Sequence, residues 1–446
     1  MPDVFIVGTE QGVVAAVSEM FSLLESPDTP LLKNSKEIYI KVNGIDYKKH
    51  CYTTPVVLEE VIKYLKGLGA TNVYVMENST QANLTRVVFA INGYRDICER
   101  TGAIPIYLDE EETETLEFKG KKGVAEDPKG YILKTFRIPK TIAKIIKNRD
   151  SLTYINLPKL KTHSMAVVTL GIKNQWGFPQ HADRKKDHNY NLHSKLVDVY
   201  EHIQPDITII DGIDGTIHGH YPPTAFEDRL VKQFNILIGG RDTLAVDVVG
   251  ARVFGLSIDE VPHLKIAYDR GLGEGDLTKI NVIGKDLNAY TEKYDYDLLQ
   301  EFPSDVKIIK GKEMVCPEGC QNNTLTTLQV LAYDYPEKFK GGFFIVMGKG
   351  FDDSLVEQLK AEGHKKGLVV GFCAIEEVGE KLKSTFGKRK IFFSDDCNEL
   401  PQTVYALSKL SRVSLLNLIP IPIEEAAEMI KEAEDHGTTS VIPDLG

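Results

Sequence analysis

At 446 residues the chain exceeds what one hydrophobic core usually organises, so two domains are expected. A formal net charge of −11 speaks against the basic surface of a general nucleic-acid binder, and no apolar run approaches the roughly 20 residues of a membrane helix. Six cysteines are too few for a disulfide scaffold, and the opening "MPDVFIVGTEQGVV" lacks the basic start and apolar run of a signal peptide, so a reducing cytoplasm is the expected compartment.

The first third alternates strand and helix. "VFIVG", "EIYIKVN", "NVYVMEN" and "IPIYLD" read as strands. Between them, "GVVAAVSEMFSLL", "TPVVLEEVIKYLKGLGA" and "TRVVFAINGYRDICERTGA" carry helical apolar spacing, the last two closed by glycine. This is the grammar of an α/β fold, a mostly parallel sheet with helices on both faces. A charged interlude from Glu110 to Lys129 reads as a turn or hairpin insertion. The pattern resumes with "LTYINL", "DITIIDG", "FNILIGG" and the helix "DTLAVDVVGARVFG". The stretch "DLNAYTEKYDYDLLQEFPSD" reads as a polar crossing, giving a domain over 1–305 and a second, smaller α/β domain over 306–446 with strands "GFFIVMG", "GLVVGFC" and "KIFFSDD".

An acidic chain concentrates positive charge in "NLPKLKTHSMAVVTLGIKNQWG", residues 156–177, beside its only tryptophan. On a strand, residues two apart share a face, so Lys159, Lys161 and His163 are expected on one side. Pro158 cannot donate to a ladder, which puts this strand at an edge or leaving the sheet. Lys173 and Asn174 follow on the next turn. A solvated strand face is the bland alternative; apolar flanks and the acidic whole favour an anion site, a carboxylate or phosphate held by ammonium and amide groups.

Further on, "QHADRKKDHNYNLH" holds His181, His188 and His193, at spacings that do not suit a zinc helix. It is expected to be a hydrated loop over the lysine site, with Arg184 and His188 closing on the anion. His218 and His220 form a second pair in a glycine-flanked loop near Asp211. Cys316 and Cys320 form C-x-x-x-C in "VCPEGCQNN", and Cys373 and Cys397 fall at strand ends of the same domain. Strand ends on one edge of a parallel sheet converge, and four thiolates suit a [4Fe–4S] cluster or tetrahedral zinc. Cys98 reads as core; Cys51, before a helix N-terminus, reads as a minor candidate for a low-pKa thiolate.

"LPKLKTH" followed by "GIKNQWG" resembles the signature of the DUF362 family, a domain of unknown function, and "PDITIIDGIDGTIHG" and "GGRDTLAVDVVGARVFG" agree with it over roughly residues 36 to 260. The resemblance implies an α/β domain with a polar cleft, often accompanied by iron–sulfur ligands, which favours a [4Fe–4S] cluster over zinc. The ferredoxin-like cysteine run of many relatives is absent from this sequence. Carried over position by position, it marks Lys41, Asn43, Thr53, Thr54, Glu77, Lys159, Lys161, His163, Lys173, Asn174, Asp211 and Asp247. The expected function is an iron–sulfur enzyme, an oxidoreductase or lyase, acting on a small anionic substrate. Lys41, Asn43, Lys159, Lys173, Asn174, Arg184 and His188 are its expected binding residues, and His163, Lys161 and Asp211 its catalytic group, histidine alone titrating near neutrality unaided. A cluster that passes electrons would bring a redox partner. The alternative is a non-catalytic binding or carrier protein with a structural four-cysteine zinc site. No G-x-G-x-x-G follows a strand and no P-loop is present, so nicotinamide and nucleotide triphosphate lack support.

Overall fold

The structure is a computed structural model that describes residues 1–26, 29–80, 82–117, 135–187 and 192–440. Twelve strands precede residue 300: β1 (Asp3–Gly8), β2 (Glu37–Val42), β3 (Asn72–Glu77), β4 (Ile104–Tyr107), β5 (Thr113–Glu117), β6 (Thr135–Pro139), β7 (Thr153–Leu157), β8 (Lys159–His163), β9 (Val167–Thr169), β10 (Ile207–Thr216), β11 (Val231–Gly240) and β12 (Asn281–Gly284). They build one ten-stranded sheet in the order β12-β1-β11-β10-β7-β2-β3-β4, with β8 branching from β10 and β9 from β8; β5 and β6 pair apart from it as a hairpin. Strands β10, β7, β2, β3 and β4 are mutually parallel, while β11 runs against both its neighbours.

Alternation along the strands explains the layering. Ile38, Ile40 and Val42 pack with Val73 and Val75 against helices Val13–Leu24 and Pro55–Gly67, whereas Tyr39 and Met76 face the opposite core with helices Lys140–Lys147, Leu192–His202 and Thr243–Val253. Both faces are covered, as a parallel sheet requires. The β5–β6 hairpin occupies the charged interlude expected to be an insertion; residues 118–134 between its strands lie outside the described residues.

A second sheet follows, β13 (Val306–Lys310), β14 (Phe343–Met347), β15 (Gly367–Val370) and β16 (Ile391–Ser394), all parallel and in sequence order. It too is apolar on both faces. The polar crossing is anchored at both ends, Tyr290, Tyr294 and Tyr296 against the first core and Leu298 in the second. The chain then returns. Helix Ile423–Asp435 sets Met429 and Ala433 against Leu84 and Val87 of the first sheet's layer. Beyond it, Thr439 N–H donates to Asp109 O at 2.7 Å, and Ser440 Oγ donates to Asn83 O at 3.0 Å.

The carboxyl ends of β2 and β3 deliver Lys41, Asn43, Glu77 and Asn78 to one edge, where open α/β sheets bind ligands. The carboxyl ends of β15 and β16 deliver Cys373 and Cys397 to the corresponding edge of the second sheet. One cavity is lined from both edges, by Lys41, Asn43 and Glu77 on one side and Asn398 and Leu400 on the other.

Candidate functional site

The cavity measures about 120 Å³. Lys41 reaches it from β2 and pairs with Glu77 of β3; both side chains are about 1% exposed. Glu77 is held by the N–H groups of Gly44 at 2.5 Å and Asn78 at 2.8 Å, and Lys41 Nζ also donates to Val42 O at 2.8 Å. The turn at Trp176 closes directly on this pair. A Cβ on Gly177 would stand 2.9 Å from Glu77 Oε1 and 3.1 Å from Lys41 Cε, so glycine permits the approach.

Lys173 and Asn174 ride on the short helix Gly171–Asn174, whose first amides are held by Asp247. Its carboxylate accepts from Gly171 N–H at 2.6 Å and Ile172 N–H at 2.8 Å. Asp247 is 0% exposed, and burial pushes its pKa up to about 7. It is therefore a positioning residue for the lysine turn. Asp247→Ala is expected to cost about 2 kcal/mol in urea unfolding, through two lost charge-assisted bonds. Because the folded value is raised, the ionised carboxylate opposes folding: native stability from this group falls as pH rises from about 4 through 7, and the variant should lose that slope. Asn174 links the strands, accepting from Asn43 Nδ2 at 2.9 Å and donating to Asn156 Oδ1 at 2.8 Å.

The positive charge is unbalanced. Burial lowers the pKa of Lys173 to about 7, helped by the neighbouring cations Lys161, Arg184 and Lys41; no carboxylate offsets it. Burial likewise brings Lys161 to about 8, its Nζ donating to Cys51 O. Arg184, brought down to about 10 by burial, donates to Asn78 Oδ1 at 2.9 Å and Ser79 O at 2.8 Å. Asn43 Oδ1, Thr169 Oγ1 and Arg184 Nε line this cavity buried and without a hydrogen-bond partner among the described residues. Buried polar atoms in native proteins are normally satisfied, and these three lie around one cavity.

His163 also lines the cavity. Its Nδ1 accepts from the N–H groups of Met165 and Ala166 at 3.2 and 3.3 Å, which leaves Nε2 to carry the ring proton. The ring stacks on His220 with centroids 3.8 Å apart and planes 2° apart. His220 was expected only in a flexible loop near Asp211. Its glycine-flanked pair signalled a loop, and nothing local joined it to His163.

Lys159 and Lys161 do not line the cavity. The β8–β10 pairing shifts register between Lys159, opposite Asp211, and Lys161, opposite Thr216. Lys159 Nζ pairs with Asp211 at 3.1 Å and with Asp214, and donates to Thr54 Oγ1 at 3.0 Å. Asp211 accepts from Thr54 N–H at 2.6 Å and sits in this buried network rather than on the cavity wall. Asp214, which the repeat in "IDGIDG" could have signalled, completes the network with His50.

Two expectations are corrected. The stretch from His181 is helical to Asp187, not a hydrated loop, and His181 and Arg184 are 1% and 7% exposed. His188 lies outside the described residues. Burial, the largest influence on Cys51, raises it to about 12 despite Lys161, so it is an inert thiol that donates to His220 O at 2.8 Å, not an activated one. His193 meets His263, with Nδ1 atoms 3.2 Å apart, and burial, then the charge of Lys173, lower its pKa to about 4. Cys98 is core, at 1% exposed.

The four remaining cysteines are half-buried at the carboxyl edge of the second sheet. Burial, then the charges of Cys397, Cys316 and Cys373, push the Cys320 thiol far up, so all three face it. Cys320 lies in a wide turn, Pro317–Gln321, ahead of helix Asn322–Asp334. Asn398 Nδ2 donates to Gly319 O at 3.4 Å and Phe372 N–H to Asp396 O at 2.7 Å, tying the three cysteine loops together. Gly371 (φ 83°) leaves Cys320 its room: a Cβ there would stand 2.4 Å from Sγ. Among the described residues no three His, Cys, Asp or Glu side chains are drawn closely enough to hold a metal ion. Donor type and number are those of a four-thiolate group, and Cys320 Sγ lies 3.9 Å from Cys397 O.

The fold and site define an α/β protein with a buried cationic ligand cavity at a sheet's carboxyl edge. Residues 38–252 match the family model of DUF362, a domain of unknown function. A thylakoid-associated protein of Synechocystis is 27% identical over 236 residues, an alignment covering 50% of this chain and 64% of that protein. A solved protein from Thermotoga maritima aligns over 89% of this chain and 90% of its own at 10% identity, with a TM-score of 0.37, too low to define a common fold. Among the described residues no helix is long and apolar enough to cross a membrane.

Proposed function

We propose that the chain is an enzyme acting on a small anionic substrate seated among Lys41, Lys173 and Arg184, with a [4Fe–4S] cluster held by Cys316, Cys320, Cys373 and Cys397 at the facing sheet edge. One observation carries the reading: a buried cavity where Lys173 has only cations for charged neighbours, ringed by unsatisfied polar atoms. An anion supplies the missing charge and the missing acceptors for Arg184 Nε; the lone pairs of Asn43 Oδ1 and Thr169 Oγ1 suit a ligand hydroxyl or amide. His163, oriented by two backbone amides, presents a proton at Nε2 and serves as general acid. Asp211 and Lys159 act one layer back, fixing Thr54 and strand β8, and Lys161 adds positive potential from behind the cavity. A cluster, when bound, supplies single electrons or a Lewis-acidic iron. The resemblance to DUF362, often accompanied by iron–sulfur ligands, favours a cluster over zinc. Six free cysteines support a reducing, cytoplasmic setting, and cations buried in a cavity rather than spread over a surface do not suit nucleic acid.

Trp176 lines the cavity and is the only tryptophan, so its fluorescence reports on binding. Titration with phosphate and with acetate is expected to give a saturable change with at least one of them. Lys173→Met should weaken binding about 10- to 100-fold, the worth of one charge-assisted bond. Affinity should be highest below pH 7 and fall as pH rises through about 7 and then 8, where Lys173 and Lys161 lose their charge. No saturable response to either anion, with Lys173→Met indistinguishable from the parent, would overturn the reading.

A further inference from the structure

The cationic cavity adjoins a larger one. A chamber of about 670 Å³ lies between the first sheet's layer, helix Asn322–Asp334 and the returning chain from Leu415 to Ile430. Ile45, Thr80, His220, Asn323 and Leu400 border both spaces, so the two share walls. The chambers differ in chemistry. The smaller holds Lys41, Lys173, Arg184 and three orphaned polar atoms. The larger is walled by side chains such as Leu84, Val87, Val330, Leu331, Leu415 and Ile430, with Thr326 Oγ1 among the buried polar atoms left without a hydrogen bond among the described residues.

Lys48, Asp334 and Asp46 on the larger wall are already answered. Lys48 Nζ pairs with Asp334 at 2.6 Å; burial raises the Asp46 carboxyl, which accepts from Tyr221 at 2.8 Å and Asn83 at 2.6 Å. A polar body entering this chamber would lose water and find few partners, whereas an apolar body gains by leaving water. Its volume is that of a site for a small organic molecule, far more than a bare inorganic anion fills.

We infer that the substrate is an amphipathic acid, with an anionic head among Lys41, Lys173 and Arg184 and an apolar body in the adjoining chamber. This rests on the anion site proposed above and adds the class of molecule that occupies it. Specificity then divides in space. The head fixes orientation beside His163, and the body contributes affinity in proportion to the apolar area it buries.

The test uses the full-length chain and the fluorescence of Trp176, titrated below micellar concentrations with acetate, hexanoate, decanoate, decyl phosphate and decanol. Affinity is expected to rise about fourfold per methylene from acetate to hexanoate, the transfer value of a buried CH₂. Decanol should bind at least tenfold more weakly than decanoate or decyl phosphate, and the ratio of those two identifies the head. Val330→Glu, a partly exposed wall position remote from the lysines, should flatten the chain-length dependence while leaving acetate affinity unchanged. Acetate binding as tightly as decanoate in the parent would overturn the amphipathic substrate and leave the anion site standing. Decanol matching decanoate, with acetate silent, would overturn the anion site, and the amphipathic acid with it.

Discussion

Replacing Lys159 with methionine is expected to lower the free energy of unfolding by about 3–5 kcal/mol, the cost of leaving a buried carboxylate without its cation. Lys159 is 0% exposed, Asp211 is 0% exposed, and no water can stand in for the lost ammonium without opening the sheet. The same ammonium donates to Thr54 Oγ1, so the start of helix Pro55–Gly67 loosens as well. Adding Asp211→Asn to Lys159→Met should recover part of the loss, because the orphaned charge is then removed. The pH profile provides a second check. Burial alone would raise the Asp214 carboxyl, but its bond to His50 and the charge of Lys159 hold it down at about 2. Stability from that depression is complete above about pH 4 and is lost as pH falls toward 2. Lys159 is itself held above its ordinary value: burial opposes this, and Asp211 and Asp214 outweigh it. Its contribution is complete below pH 10.5 and is lost as pH rises beyond. The contribution of this network in the parent should therefore be level from about pH 4 to 10, superposed on the slope from Asp247. The variant should keep that slope with a lower stability and a shallower acid limb. Chemical denaturation at pH 3, 7 and 10 decides it; a variant within 1 kcal/mol of the parent at pH 7 would mean that the buried network is dispensable.

Cys320→Ser is expected to abolish iron and sulfide binding in protein purified without oxygen, and to destabilise the second sheet. Burial and the three facing thiols keep Cys320 protonated in the apo chain, so a metal group must displace protons from a site already folded around them. The parent should be brown with broad visible absorption that dithionite bleaches, and the variant colourless. A colourless parent containing stoichiometric zinc would transfer the site to the carrier reading. A parent with neither metal would leave the four thiols as packing. Cys98→Ser provides the control, since that thiol is buried away from the edge in helix Tyr94–Thr101.

Much of the fold was legible because periodicity is local. Apolar alternation in "EIYIKVN" and "NVYVMEN" specified strands buried on both faces, and these became β2 and β3 with their polar ends at the carboxyl edge. The resemblance carried by "LPKLKTH" and "GIKNQWG" marked Lys41, Asn43, His163, Lys173 and Asn174, five residues that line one cavity. Period-two spacing misled within the same strand. Lys159 and Lys161 share a face only while pairing is regular, and the register against β10 shifts between them, so Lys159 pairs with Asp211 and Lys161 donates to Cys51 O.

What this sequence determined by itself is the set of elements and the unusual concentration of cations in an acidic chain, because turn residues, apolar period and net charge are properties of neighbours along the chain. What only the tertiary structure decided is which cations are answered. Lys159 finds Asp211, 52 residues away, and Lys41 finds Glu77, whereas Lys173 finds only other cations. The stacking of His163 on His220 and the sharing of one cavity by two sheet edges were settled the same way, by the approach of segments far apart in sequence. A charge acquires a role from the dielectric and the partners around it, and both are set by how segments remote in sequence pack.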